Sequence, residues 1–197
     1  MAYLLLQQTG SAQSKWVVEN YSYLGQPGEG TIVPMIHMET KKNWYAELRY
    51  NYEDAQTLSL FAGKTLAGGK GVTYSVTPLA GFSVGNFTGI SLGVNTDIEW
   101  KNFYVSAQSQ YSMGTKKEVA DFFFNWSELG YNITPSLFAG LAMQYTVQSG
   151  STELEPGFVA GLAIKNFSFP LYVFSPFQTR GYFVVGFNYV FSLNKKK

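Results

Sequence analysis

The sequence predicts an all-β protein: a closed antiparallel up-and-down transmembrane β-barrel of about 12 strands, with ten left open. Three observations predict it. Apolar residues recur at every second position over most of the 197 residues, the period of a strand. Aromatics make up 17% of the chain and charged residues only 14%, against about 25% charged in an ordinary soluble domain. The connections also alternate in length in the second half of the chain, very short and then longer.

Turn residues divide the chain into strands near 15–24, 31–39, 44–53, 57–66, 72–85, 89–100, 102–113, 121–133, 136–147, 157–165, 167–174 and 181–191. The first two, "WVVENYSYL" and "TIVPMIHME", alternate weakly, and this leaves the ten-strand count open. In "WYAELRYNY", Trp44, Ala46, Leu48, Tyr50 and Tyr52 share one face, opposite Tyr45, Glu47, Arg49 and Asn51. In "VTYSVTPLAGFSV", Val76 and Phe82 stand opposite Ser75 and Ser83. "ISLGVNTDIEW" sets Leu92 and Ile98 against Asn95, Asp97 and Glu99. "FYVSAQSQYSM" and "LFAGLAMQYTV" repeat the pattern, with Gln108 and Gln144 on their polar faces. "FFFNWSELGYNI" loses phase near Trp126, as a β-bulge would cause. The last segment, "GYFVVGFNYVF", alternates cleanly through Phe183, Val185, Phe187, Tyr189 and Phe191. The turns "KN" (101–102), "TPS" (134–136) and "KN" (165–166) are short, whereas "GTKKEVA", "QSGSTELEP" and "SPFQTR" are longer.

The composition of the polar face decides which way the apolar face points. The exterior of a soluble barrel carries about 25–35% charged residues. Here that face is mostly Ser, Thr, Gln, Asn and Gly, which suits a wet, enclosed interior with lipid outside. A soluble calycin-like binder, with the opposite facing, is the competing architecture. Leu48, Val76, Phe82, Leu92, Leu141, Leu162, Val185 and Phe187 are therefore expected to point outward, and Glu47, Arg49, Ser75, Asn95, Asp97, Gln108 and Gln144 inward. Trp44, Tyr52, Trp100, Phe103, Tyr145, Phe167 and Phe191 lie towards strand ends, as interfacial aromatic girdles do.

In hydrocarbon every backbone polar group needs a partner, so the sheet must close. "FVVGFNYVF" resembles the C-terminal signature strand of Gram-negative outer-membrane β-barrel proteins, carried by Phe187, Tyr189 and Phe191. The resemblance implies a bacterial outer-membrane location, contact with outer-membrane lipid, and recognition of this strand by the barrel-assembly machinery. Those proteins usually end at the aromatic; here Ser192 to Lys197 follow. "NWYAELRYNYEDAQTLSLFAGKT" is similar to uncharacterised barrels of Bacteroidetes type, a likeness that carries no biochemical activity. Residues 1–15 read as a leader remnant or disordered tail, 16–191 as the barrel, and 192–197 as a basic tail ending in Lys195–Lys197.

Chemistry is sparse. With no cysteine and one histidine, neither thiolate chemistry nor a multi-histidine metal site is available, and no cofactor is implied. A net charge of +1 gives no reason to expect nucleic acid. "AGGKG" (67–71) lacks the spacing and the following helix of a phosphate loop and reads as a hairpin turn. The inward charges Glu47, Arg49, Asp97, Glu99 and Glu128 are the candidate site, either a constriction that selects small polar solutes or an ion-pair network filling a narrow barrel. His37 could serve a lipid-modifying enzyme as a base, given a Ser and an orienting acid beside it. Inward Gly81, Gly93, Gly140 and Gly161 either open the lumen or seat inward aromatics such as Phe138 and Tyr104. The leading functional expectation is a small passive pore, with a plugged structural or interaction barrel as its alternative.

Overall fold

The computed structural model describes residues 14–25, 30–116 and 118–193, and the leader and basic-tail segments fall largely outside them. The strands are β1 (Ser14–Leu24), β2 (Ile32–Glu39), β3 (Trp44–Tyr50), β4 (Leu58–Lys64), β5 (Leu66–Gly68), β6 (Val72–Val84), β7 (Gly89–Trp100), β8 (Phe103–Gly114), β9 (Phe122–Asn132), β10 (Leu137–Gln148), β11 (Ser151–Ile164), β12 (Phe167–Phe174) and β13 (Tyr182–Leu193). Every pairing is antiparallel. β1 pairs with β13 from Ser14↔Leu193 to Leu24↔Phe183, and β4 pairs with β6, so the sheet closes on itself. No strand edge faces lipid around the ring, as a membrane barrel requires.

The sheet has thirteen segments but twelve walls. β4 and β5 run in one register against β6, from Leu58↔Val84 to Gly68↔Tyr74. The ladder lapses at Lys64 and Thr65, opposite Pro78 and Thr77, because Pro78 has no N–H to donate. Side chains bridge the gap: Thr65 Oγ1 and Thr77 Oγ1 lie 2.9 Å apart. The predicted strand 57–66 therefore continues to Gly68.

The facing expected of the named inward and outward residues holds strand by strand. Leu48, Phe82, Leu92, Leu141, Leu162, Val185 and Phe187 are exposed on the outer face, and Val76 is half-buried there. Glu47, Arg49, Gln108 and Gln144 are buried in the lumen, and Ser75, Asn95 and Asp97 are half-buried within it. Exposed apolar groups outside and buried polar groups inside invert the logic of a soluble protein, and this is the lipid-embedded arrangement. At the rim carrying the short turns, Trp100 stacks on Phe103 at 6.1 Å, Phe103 meets Tyr131 at 4.8 Å, and Phe167 meets Tyr189 at 4.6 Å. Phe191 stacks on Trp16 across the closing seam at 6.3 Å.

Three expectations are corrected. β9 keeps one unbroken register with β8 and β10, so there is no bulge at Trp126. Trp126 points inward, while Asn125 and Ser127 point outward, where they bond to each other and Asn125 donates to Ser109 Oγ at 2.8 Å. The stretch read as a loop at 148–156 is a tight turn at Ser149 (φ 51°) and Gly150 (φ 78°), with β11 starting at Ser151. Five of its residues, 151–155, pair along the backbone with β10 alone, while Pro156 accepts from Ser175 N at 2.8 Å, so this hairpin stands beyond its other neighbour, β12. Tyr52 is no girdle residue: β3 stops at Tyr50, Asn51 turns at φ 59°, and the Tyr52 ring enters the lumen.

Candidate functional site: the barrel lumen

Inward side chains of β1, β3, β8, β9 and β12 reach one another across the lumen. The candidate charges form three groups rather than one cluster. In the first, Arg49 Nε donates to Glu47 Oε1 at 2.7 Å and Nη2 to Glu47 Oε2 at 3.3 Å, with Tyr45 donating to Glu47 at 2.6 Å. The guanidinium lies between the rings of Tyr52 (4.5 Å) and Phe61 (4.3 Å), and both members of the pair are fully buried. Its Nη1 donates across the lumen to Gln110 Oε1 at 2.8 Å and, at 3.4 Å, to Glu53. Glu53 also accepts from Gln110 Nε2 at 3.2 Å and from Ser59.

In the second group, Asp97 accepts from Ser106 at 2.9 Å and from Ser75 at 3.3 Å, with Glu99 half-buried two residues nearer the short-turn rim. In the third, Glu128 accepts from the Tyr172 hydroxyl at 2.9 Å and from Tyr104 at 3.5 Å. An aromatic wall stands beside these groups. Trp126 lies 5.7 Å from Tyr21, 5.0 Å from Tyr172 and 5.4 Å from Phe174, and Phe174 stacks on Tyr182 at 5.4 Å. Tyr172, Phe174 and Tyr182 are at most 1% exposed, so these rings fill their part of the lumen.

The sequence reading missed Glu53, Tyr52 and Trp126 as lumen residues, while Gln110 lies on the polar face that it assigned inward. Glu53 and Tyr52 come from the 51–57 connection, which folds into the barrel mouth: the Tyr52 hydroxyl donates to Gln108 at 2.5 Å. Gln110 was legible by parity, since it alternates with Gln108 on β8. Some of the glycines serve as seats for rings, whereas Gly93 lies against Leu79 and Gly140 against the backbone of Leu129. A Cβ on Gly161 would collide with Phe138, and one on Gly130 with Tyr104.

Two small cavities of about 20 Å³ each remain. One is bounded by His37, Glu39, Asn95 and Asp97, the other by Met35, Tyr52, Gln108 and Trp126, and Ser106 lines both. Each holds about one water. Several buried polar atoms face this space without a protein partner: both ring nitrogens of His37, Asn95 Oδ1, Gln108 Nε2 and Trp126 Nε1. Among the described residues no serine hydroxyl bonds to His37; Ser75 and Ser106 donate to Asp97 instead, so no Ser–His relay is assembled among them.

No protein-family model matches the chain, and no curated protein matches it in sequence. Among solved structures it is similar to the KdgM porin, with a TM-score of 0.64 and 11% identity over 90% of this chain and 99% of that one. It is similar also to KdgM porin in complex with disordered oligogalacturonate (0.61, 11%, 90% and 99%) and to the NanC porin (0.58, 8%, 91% and 100%). At such identities the likeness is one of fold, the closed antiparallel all-β barrel of outer-membrane porins.

Proposed function

We propose that this chain is a bacterial outer-membrane β-barrel that passes small polar solutes passively through a constricted lumen. The observation that carries this reading is the row of buried, unpartnered polar atoms at His37, Asn95, Gln108 and Trp126. Buried polar groups in proteins are nearly always paired, so a wall of orphans calls for water or polar solute along it. The Arg49 group and the Tyr52–Glu53 connection bridge the lumen. The porin-like fold supports the same reading. The charges Glu47, Arg49, Asp97, Glu99 and Glu128 then act as a selectivity lining.

On this reading outer-membrane lipid covers the apolar face, and Phe187, Tyr189 and Phe191 on β13 form the strand that the barrel-assembly machinery recognises. The segment beginning "NWYAELRYNY" supports a Bacteroidetes-type origin. Liposome swelling with the refolded protein tests the function: permeation by small neutral and charged solutes is expected to fall steeply with size, and no swelling with any solute would overturn it. A second reading, a plugged structural or interaction barrel, is favoured by the contacts that cross the lumen, Arg49 to Gln110 and Tyr21 to Trp126. In that case the same liposomes remain sealed and a partner co-purifies.

A further inference from the structure

We infer that the chamber around His37 is a binding site for a small protonated amine, a primary ammonium such as methylammonium. This deepens the pore reading, on which it rests for the solute's way in, by naming a solute class.

The chamber lies in the half of the barrel nearer the short turns, inside β2, β3, β6, β7 and β8. Its polar lining sets two carboxylates and an unpartnered amide oxygen among hydroxyls that can donate or accept. Glu39 and Asp97 contribute carboxylates, Asn95 contributes an Oδ1 with no partner, and the Thr65 hydroxyl lies 2.9 Å from that of Thr77 and also bonds Glu39. His37, 3% exposed, lines the same space with neither ring nitrogen bonded. A neutral imidazole has one acceptor nitrogen beside its N–H donor, so it adds one acceptor to the set. The charges facing the chamber are Glu39, Asp97 and the nearby Glu99, with Lys15 opposite Glu39 on β1 as the resident cation. Glu19 stands behind the imidazole at 3.9 Å, and Glu47 is held by Arg49. The count of carboxylates at the chamber exceeds that of cations by two even with Lys15 included.

The size and the donor set specify the ligand. A space of about 20 Å³ holds one group of about the size of a water, which an ammonium head is. Among the described residues no three His, Asp or Glu side chains converge to share a metal ion. What remains are acceptors on several strands, which match an ammonium with three N–H donors better than a coordinated ion. Charge-assisted hydrogen bonds from such a head to Asp97 and Glu39 are the strong kind.

His37 is the only histidine in the chain, so imidazole labelling yields a single NMR reporter inside the site. The full-length protein in detergent micelles is titrated with methylammonium chloride at constant pH and ionic strength, with tetramethylammonium, which has no N–H, as the control. A saturable His37 shift with methylammonium and none with tetramethylammonium is expected. Asp97→Asn should weaken the binding about tenfold, the worth of one charge-assisted hydrogen bond. Glu39→Gln, at the half-exposed edge, serves as the second variant should Asp97→Asn not fold. No saturable shift, an equal response to tetramethylammonium, or an affinity untouched by either variant overturns the site. Micelles leave both barrel mouths open to solvent, so binding does not depend on conduction. A saturable shift in a protein that leaves liposomes sealed would refute the pore and keep the site; swelling without the shift would do the reverse.

Discussion

Arg49 and Gln110 meet across the lumen, with Nη1 donating to Oε1 at 2.8 Å, so that a strand on one side of the barrel is tied to a strand on the other. This bond and the Glu47–Arg49 pair are the polar counterpart of the aromatic wall around Trp126, and together they set how far the barrel is closed.

Replacing Arg49 is expected to destabilise strongly. Arg49→Ala leaves Glu47 buried without its cation, a change that costs about 3–5 kcal/mol for buried pairs. Arg49→Met combined with Glu47→Gln and Glu53→Gln removes all three charges and should recover most of that loss. Urea titrations of the folded barrel in detergent, followed by tryptophan fluorescence, measure both; equal losses in the two variants would contradict the uncompensated-charge account.

On the outer face the cost of charge should depend on depth. Leu92→Arg, on the strand interior, is expected to cost about 2–4 kcal/mol in lipid, and Ile133→Arg, beyond the end of β9, about 0–1 kcal/mol. Refolding equilibria in lipid bilayers separate them. A penalty at Ile133 as large as that at Leu92 would mean that the apolar band is misplaced.

The seat of Phe138 on Gly161 predicts a coupled pair. Gly161→Ala forces its methyl into the ring and should cost about 1–3 kcal/mol. In the background of Phe138→Ala the same change should cost less, with the remainder set by the Phe169 carbonyl oxygen 2.8 Å from the new methyl, a coupling within the range measured for contacting residues, about 0.5–3 kcal/mol. Additive losses would show that the ring does not rest on the glycine.

The proposed role of the last strand predicts a split between the cell and the test tube. Tyr189→Ala with Phe191→Ala removes outward rings that stack at 5.5 Å but leaves the β1–β13 ladder in place. Detergent refolding should be little affected, whereas the amount of barrel in the outer membrane of expressing cells should fall several-fold. Equal loss in both would reduce the strand to ordinary packing.

The fold was legible because a barrel wall has only two environments, and alternation reports which residue meets which. Leu92 against Ser91 or Val185 against Val184 needs no tertiary information beyond parity. The reading failed where a residue sat on the unexpected side of that rule. Asn125 and Ser127 face outward yet satisfy each other and Ser109, so their polarity counterfeited a slip in phase. Glu53 and Tyr52 lie beyond the end of β3, where a left-handed Asn51 resets direction and parity carries nothing. The acidic run of 151–155 reads as a loop because that hairpin has left one neighbour behind, and its charges sit where water reaches them. The site was half legible: alternation gave the inward charges, but which of them meet depends on the barrel's circumference.

Planar-bilayer recording of the purified barrel, wild type beside Gln110→Ala, tests the central claim most directly. The account predicts a small, steady conductance for the wild type. It predicts a clearly larger one for Gln110→Ala, because that change removes the acceptor that holds Arg49 across the lumen while leaving the Glu47 pair intact. Silent membranes with both proteins at every voltage, from preparations that insert and resist unfolding, would contradict it.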